Sequence, residues 1–150
     1  MRDVKMTDQE YLNLWVDLVH AKDAISKLRQ KELKRYKISP EQSAILSFLQ
    51  DSGVNPTPAD LSRQLFKDPS TVTIILNKMA AKDLVKKETD ENKKNLIRVS
   101  LTENGRRIHN QIVQTMCIYR IMAELSEAQC KQLKKCLDIL LAKTQTELNS

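Results

Sequence analysis

Residues 57–79 read TPADLSRQLFKDPSTVTIILNKM. Two short apolar runs lie in this stretch, each opened by a polar residue and a proline: Thr57-Pro58 and Asp68-Pro69. A capping side chain followed by proline at the first helical position is a helix-start signal. Leu61 and Leu65, four apart, make one face of a helix of barely two turns. Val72, Ile75, Leu76 and Met79 make the apolar face of the next. A helix that short is marginal alone in water. The two must therefore pack across the LFKDP interruption at a large angle, as a helix-turn-helix.

Upstream, SPEQ at 39–42 repeats the device: Ser39 caps, Pro40 opens the helix and Gln42 completes a capping box. That helix carries Ile45, Phe48 and Leu49 inward, and Gly53 is expected to stop it. Before it, residues 8–35 are expected to form one long helix. Leu14, Leu18, Ala21, Ile25 and Leu28 recur at spacings of 4, 3, 4 and 3, with Lys22, Asp23, Lys27 and Arg29 mostly off the stripe. Tyr11, Leu12 and Trp15 add apolar bulk near its start.

Downstream, Asp83 stands where a helix would close in the left-handed conformation, a place commonly given to glycine. Leu84–Glu88 reads as a short strand. Ile97, Val99 and Leu101 alternate with Arg98 and Ser100 as a second. Polar TDENKKN joins them, so a hairpin with Lys93 and Lys94 at its tip is expected. Thr102 caps a helix predicted to run to about Ala123, and Ser126 with Gln129 boxes a last one bearing Leu133, Leu137, Leu140 and Leu141.

With 150 residues, two glycines, four prolines and 4% aromatics, the chain reads as one mainly α domain with a small hairpin. Its parts are an N-terminal helix (1–37), a central lobe (38–101) and C-terminal helices (102–150). The opening MRDVKMTDQEY lacks an apolar core, and no run is long enough to cross a bilayer, so a cytoplasmic protein off the membrane is expected. Net charge is +6, spread as +3, +1 and +2 over those three parts. The excess favours a polyanion without locating its face. An odd set of cysteines, Cys117, Cys130 and Cys136, implies reduced thiols. Cys136, at helical spacing with Leu133, Leu137 and Leu140, is expected to be buried. A redox role is the alternative for Cys117 or Cys130. Two distant histidines give no metal site, and no cofactor is implied. No Gly-rich phosphate loop, nucleophile elbow or carboxylate pair is present, so an enzyme is not expected.

The interruption lets the second short helix present its N-terminal end outward, and the major groove of B-DNA admits one helix. Ser70 and Thr71 suit phosphates or base edges there. Thr73 and Ile74 suit thymine methyls, and Asn77 an adenine edge; Lys78 completes the set. A plain helix start is the alternative reading for Ser70 and Thr71, weakened by the hairpin that follows. Lys86, Lys87, Lys93, Lys94 and Arg98 cluster in the hairpin and, with Thr57 and Arg63, form the candidate backbone contacts. Glu88, Asp90 and Glu91 dilute that patch, as in an ordinary solvated strand.

In this order of elements the chain resembles the MarR family of winged helix-turn-helix transcriptional regulators. The match rests on ISPEQSAILSFL, TPADLSRQL, DPSTVTIILNKM and above all LVKKETDENKKNLIRVSLTENG. The resemblance implies a homodimer of interlocked terminal helices, with Leu14, Leu18, Leu133, Leu137, Leu140 and Leu141 as its apolar core; packing within one chain is the alternative. It implies a near-palindromic operator of double-stranded DNA, with release in many members by a small-molecule effector or an oxidant; a repressor is expected, with an activator as the alternative. Trp15, His20, His109 and Met116 are candidates to line an effector crevice; plain packing is the competing reading. The family wing usually carries Asp-Arg where this chain has Lys93 and Lys94, and a glycine where it has Asp83. The peroxide-sensing branch uses a cysteine in the first helix, and there is none here. A helical adaptor that binds protein through the same lobe is the remaining alternative.

Overall fold

The helix starts follow the capping residues. The computed structural model describes residues 5–150. Thr7 caps α1 (Asp8–Leu33) in a capping box with Glu10. A 3-10 turn, Lys34–Tyr36, ends at Lys37 in the left-handed conformation. Ser39 and Gln42 box the start of α2 (Pro40–Asp51), and Thr57 and Asp60 that of α3 (Pro58–Leu65). Then come α4 (Pro69–Ala81), strands β1 (Val85–Thr89) and β2 (Ile97–Leu101), and α5 (Glu103–Gln114) capped by Thr102. After Thr115 the chain divides into a second compact unit, which holds α6 (Cys117–Met122) and α7 (Glu127–Leu148).

In the first unit the apolar faces expected from sequence close over one core. Leu33, Ile45, Leu46, Leu61, Val72, Leu76, Met79, Val99 and Ile112 are fully buried or nearly so. Each such side chain contributes about 1.5–3 kcal/mol over an exposed one. The strands pair antiparallel, Val85 opposite Leu101 and Thr89 opposite Ile97.

The hairpin is anchored at both ends. At its base Asp83 has φ 58°, the left-handed value its position demands. Its carbonyl accepts from Thr102 Oγ1 at 2.5 Å, and the Thr102 N–H donates to the Leu84 carbonyl at 3.2 Å. Gly105 sits so close that a Cβ there would stand 2.0 Å from the Leu84 carbonyl oxygen. This is why the run ends in ENG. At the outer edge, Val99 N–H donates to the Pro56 carbonyl at 2.8 Å, tying β2 to the loop before α3.

Four sequence expectations need correction. The helix predicted from Thr102 to about Ala123 breaks: α5 ends at Gln114, Met116 is extended (φ −63°, ψ 122°), and α6 starts afresh. No proline or glycine marks the break, so periodicity alone ran through it. Gly53 is not in the left-handed region; α2 ends instead with the Ser52 hydroxyl donating to the Phe48 carbonyl at 2.7 Å. Arg29, placed among the off-stripe charges, is buried; it pairs with Glu32 at 3.1 Å and donates to Ser43 Oγ at 2.7 Å. Satisfied this way, a guanidinium can leave water. Cys136 is exposed, not buried, and Cys117 is the buried cysteine. The Leu133, Leu137 and Leu140 stripe that Cys136 shares is itself exposed in the single chain.

Among the described residues, no helix is long and apolar enough to cross a membrane.

Candidate nucleic-acid interface

The turn between α3 and α4 is made by side chains rather than by glycine. Phe66 caps α3 in the left-handed conformation, φ 53°. The Ser62 hydroxyl donates to the Lys67 carbonyl, and the Lys67 N–H returns to the Ser62 carbonyl at 3.2 Å. Chain direction is thereby fixed, and α4 emerges with Val72, Leu76 and Met79 buried. Its other face, with Ser70, Thr73, Ile74, Asn77 and Lys78, is exposed, and Thr71 is half-buried.

At the head of α4 the chemistry differs from a bare helix start. Asp68 makes no capping bond to the backbone. Its carboxylate accepts from Ser70 Oγ at 2.6 Å and from Thr71 Oγ1 at 2.7 Å. Those two hydroxyls hold the Asp68 carboxyl below its ordinary range, so the head of α4 carries a full negative charge at neutral pH. Thr73 Oγ1 donates to the Pro69 carbonyl at 3.0 Å, which uses its hydroxyl and leaves its methyl for apolar contact. Sequence reading treated these hydroxyls as free; Asp-Pro-Ser-Thr, an acceptor two and three residues before two donors, was the signal for the clasp.

The cations of the wing fall into two kinds. Lys93 and Lys94 stand exposed at the hairpin tip. The others have partners. Lys86 pairs with Glu88 at 3.0 Å, and Lys87 Nζ donates to Asn77 Oδ1. Arg98 donates from Nε to Asp90 Oδ2 at 2.9 Å and from Nη1 to the Asn55 carbonyl at 3.0 Å. Arg98 is thus a pin between wing and lobe before it is a DNA contact. Asp90 also accepts from the backbone N–H groups of Asn92 (2.8 Å) and Lys93 (3.0 Å). The Arg98 guanidinium above all, and then these two N–H groups, hold the Asp90 carboxyl below its ordinary value.

Two further candidates have partners within α3. Thr57 is buried, its hydroxyl accepting the Asp60 N–H at 3.1 Å, so it caps α3 rather than facing a ligand. Arg63 is exposed but paired with Asp60.

The remaining candidates lie elsewhere. Trp15 and His20 are exposed on α1, where Trp15, Leu18, Val19, Lys22 and Asp23 line a shallow apolar groove. His109 is buried on α5, and its Nδ1 has no partner among the described residues. Burial pushes the His109 pKa below its ordinary 6.5, against the pull of Asp51 and with the push of Arg29. Met116, half-buried, stands at the start of the second unit. No group of metal-ligating side chains gathers among the described residues. Leu14 is 58% exposed and Leu140 53%; Leu18 is half-buried, and Leu133, Leu137 and Leu141 are exposed.

A short helix whose outer face stays open, followed by a cation-tipped hairpin, defines a winged helix-turn-helix protein. Residues 36–94 match the sequence model of the MarR family. The structure is similar to AbsC, a MarR family transcriptional regulator from Streptomyces coelicolor, at 18% identity and TM-score 0.84, covering 95% of this chain and 98% of that one. It is similar to the ligand-free organohalide-sensing transcriptional regulator RdhR at 27% identity and TM-score 0.77, covering 97% and 89%. It is also similar to S. aureus MepR in its DNA complex, at 19% identity and TM-score 0.72, covering 93% and 99%. No curated protein matches the chain in sequence. The likeness is thus to the MarR family, whose members are transcriptional regulators: in sequence over residues 36–94, and in fold over nearly the whole chain.

Proposed function

We propose that the protein is a homodimeric repressor that binds a near-palindromic operator with one α4 and one wing from each protomer. The observation that carries this reading is the open face of α4, with Ser70, Thr73, Ile74, Asn77 and Lys78 exposed, beside a wing tip with Lys93 and Lys94 exposed. An α-helix of this kind fits the major groove, and exposed lysines at the tip displace counterions from the adjoining backbone. Lysine lacks the planar fork of arginine, so the tip contributes charge more than shape readout.

The dimer is supported by the apolar stripes of α1 and α7. Tyr11, Leu12, Leu14 and Trp15 on one, and Leu133, Leu137, Leu140 and Leu141 on the other, are all exposed in the single chain. A second copy is the partner that would cover them and set two recognition helices about 34 Å apart, one turn of DNA. MepR was solved with DNA, and RdhR also with 2,4-dichlorophenol. The second of these supports a small organic effector for this chain too, acting on its affinity for DNA.

The test is fluorescence anisotropy on duplex DNA from upstream of the protein's own gene, across a salt series. Wild type binds, with affinity falling steeply as salt rises. The double variant Lys93→Ala/Lys94→Ala binds more weakly, its log–log salt slope shallower by roughly two to four, near one unit per lost phosphate contact in a dimer. An unchanged slope removes the wing tip from the interface. Binding that ignores salt returns the lobe to a protein adaptor.

A further inference from the structure

Asn77 does not meet the solvent alone. It lies on the exposed face of α4, and Lys87 of β1, the strand packed beside α4, reaches it: Nζ donates to Oδ1. An ammonium group has only hydrogens to offer, so the amide oxygen is the atom it must hold. That leaves the amide Nδ2 with its two hydrogens, and the remaining N–H groups of Lys87, as what the pair can offer a ligand.

This bond changes what the position can read. A free asparagine recognises adenine by accepting from the N6 amino group and donating to N7. Here the acceptor half is filled. A second lone pair remains on Oδ1, but an adenine amino group that used it would bring its own hydrogens against the ammonium. What the pair offers together is two donors side by side. Guanine alone presents two neighbouring acceptors, N7 and O6, on its major-groove edge. We infer that Lys87 positions Asn77 as a donor-only reader, and that the pair selects guanine, not adenine, at one position of each half-site. The inference rests on the DNA-binding reading above and replaces the adenine contact that Asn77 suggests when taken alone.

The experiment selects bound duplexes from a randomised pool with the full chain and compares base ratios at each position. Asn77→Ala identifies the position, because its preference there flattens. Wild type enriches guanine at it. Lys87→Met keeps the stem but removes the ammonium, and lowers the guanine-to-adenine ratio at that position about tenfold, the size of one good bidentate contact. Lys87→Arg restores donors and keeps the preference for guanine. A ratio taken within one protein is unmoved by a variant that merely folds less well.

Three results overturn the inference while leaving DNA binding intact: adenine enriched by wild type at the Asn77-dependent position, an unchanged ratio in Lys87→Met with only total retention lowered, or no position that responds to Asn77→Ala. A wild-type protein that retains no duplex overturns the DNA-binding reading itself, and this inference with it.

Discussion

The lobe around α3, α4 and the wing differs from α7 in how each satisfies its side chains. In the lobe, apolar faces are buried in the same chain, and nearly every turn is closed by a named polar contact: Ser62 to Lys67, Asp68 to Ser70 and Thr71, Arg98 to Asp90 and Asn55. In α7, which spans Glu127–Leu148, no residue is buried, although leucine recurs on one stripe. Its polar contacts are pairs one turn apart, such as Lys134 with Asp138 at 2.6 Å and Lys143 with Glu147 at 2.8 Å. Exposed pairs of that kind contribute about 0.3–0.5 kcal/mol each. The lobe is thus complete within one chain, whereas the leucine stripe of α7 stays exposed in it. In the dimer proposed above, pairing can be lost without losing the reading head.

The comparison breaks most sharply at Leu137 and Leu140. Leu137→Glu/Leu140→Glu leaves the circular dichroism of the lobe unchanged, because neither side chain is buried in the single chain. Sedimentation is expected to show monomers, and affinity for a two-half-site duplex to fall about a hundredfold or more as the second contact ceases to be intramolecular. A dimer that survives the double substitution removes the α7 stripe from the interface.

The second way to break it lies inside the lobe. Gly105→Ala forces a methyl group into the Leu84 carbonyl oxygen, a backbone atom that cannot swing aside. Chemical denaturation should show a loss of about 2–3 kcal/mol, the cost of overpacking a tight site. DNA affinity should fall with it, since the same carbonyl receives the Thr102 N–H that seats the wing. Stability equal to wild type would mean that α5 and the wing base are free to part.

The third effect is smaller and sharpens the contrast through pH. The buried His109 binds its proton more weakly folded than unfolded, because burial disfavours the charged ring. The unfolded chain therefore takes up a proton first as pH falls through the ordinary value of 6.5. Stability is full above that pH, declines below it, and levels off beneath the lowered folded value. Thermal midpoints measured between pH 8 and pH 5, as about the usable range for histidine, should fall on acidification in wild type. In His109→Leu they should stay flat over the histidine range, with the orphaned Nδ1 also removed. An equal slope in both proteins would assign the titration elsewhere.

How much of this was legible follows the same division. Helix starts were readable because a cap is local: Ser39, Thr57, Thr102 and Ser126 all accept the backbone N–H three residues on. Asp83 was readable for the same reason, a single residue in a conformation its side chain tolerates. The break at Met116 was not, since α5 and the segment after it share one apolar period and no breaker residue. Nor was the burial of Arg29, which depends on Ser43 from another helix. At the interface, the exposed face of α4 could be read from spacing alone. The partners of its polar groups could not, because Lys87 meets Asn77 from ten positions away along the chain. Cys136 was misplaced for a different reason: a leucine stripe shows that burial is wanted, not that the same chain supplies it.

Arg98 holds Asp90 on the wing and the Asn55 carbonyl ahead of α3 with one guanidinium. The lobe and its hairpin are therefore a two-pronged fork whose span is set when the chain folds. In the complex proposed above, the distance between helix and wing tip is thus held by a side chain that need never touch a base.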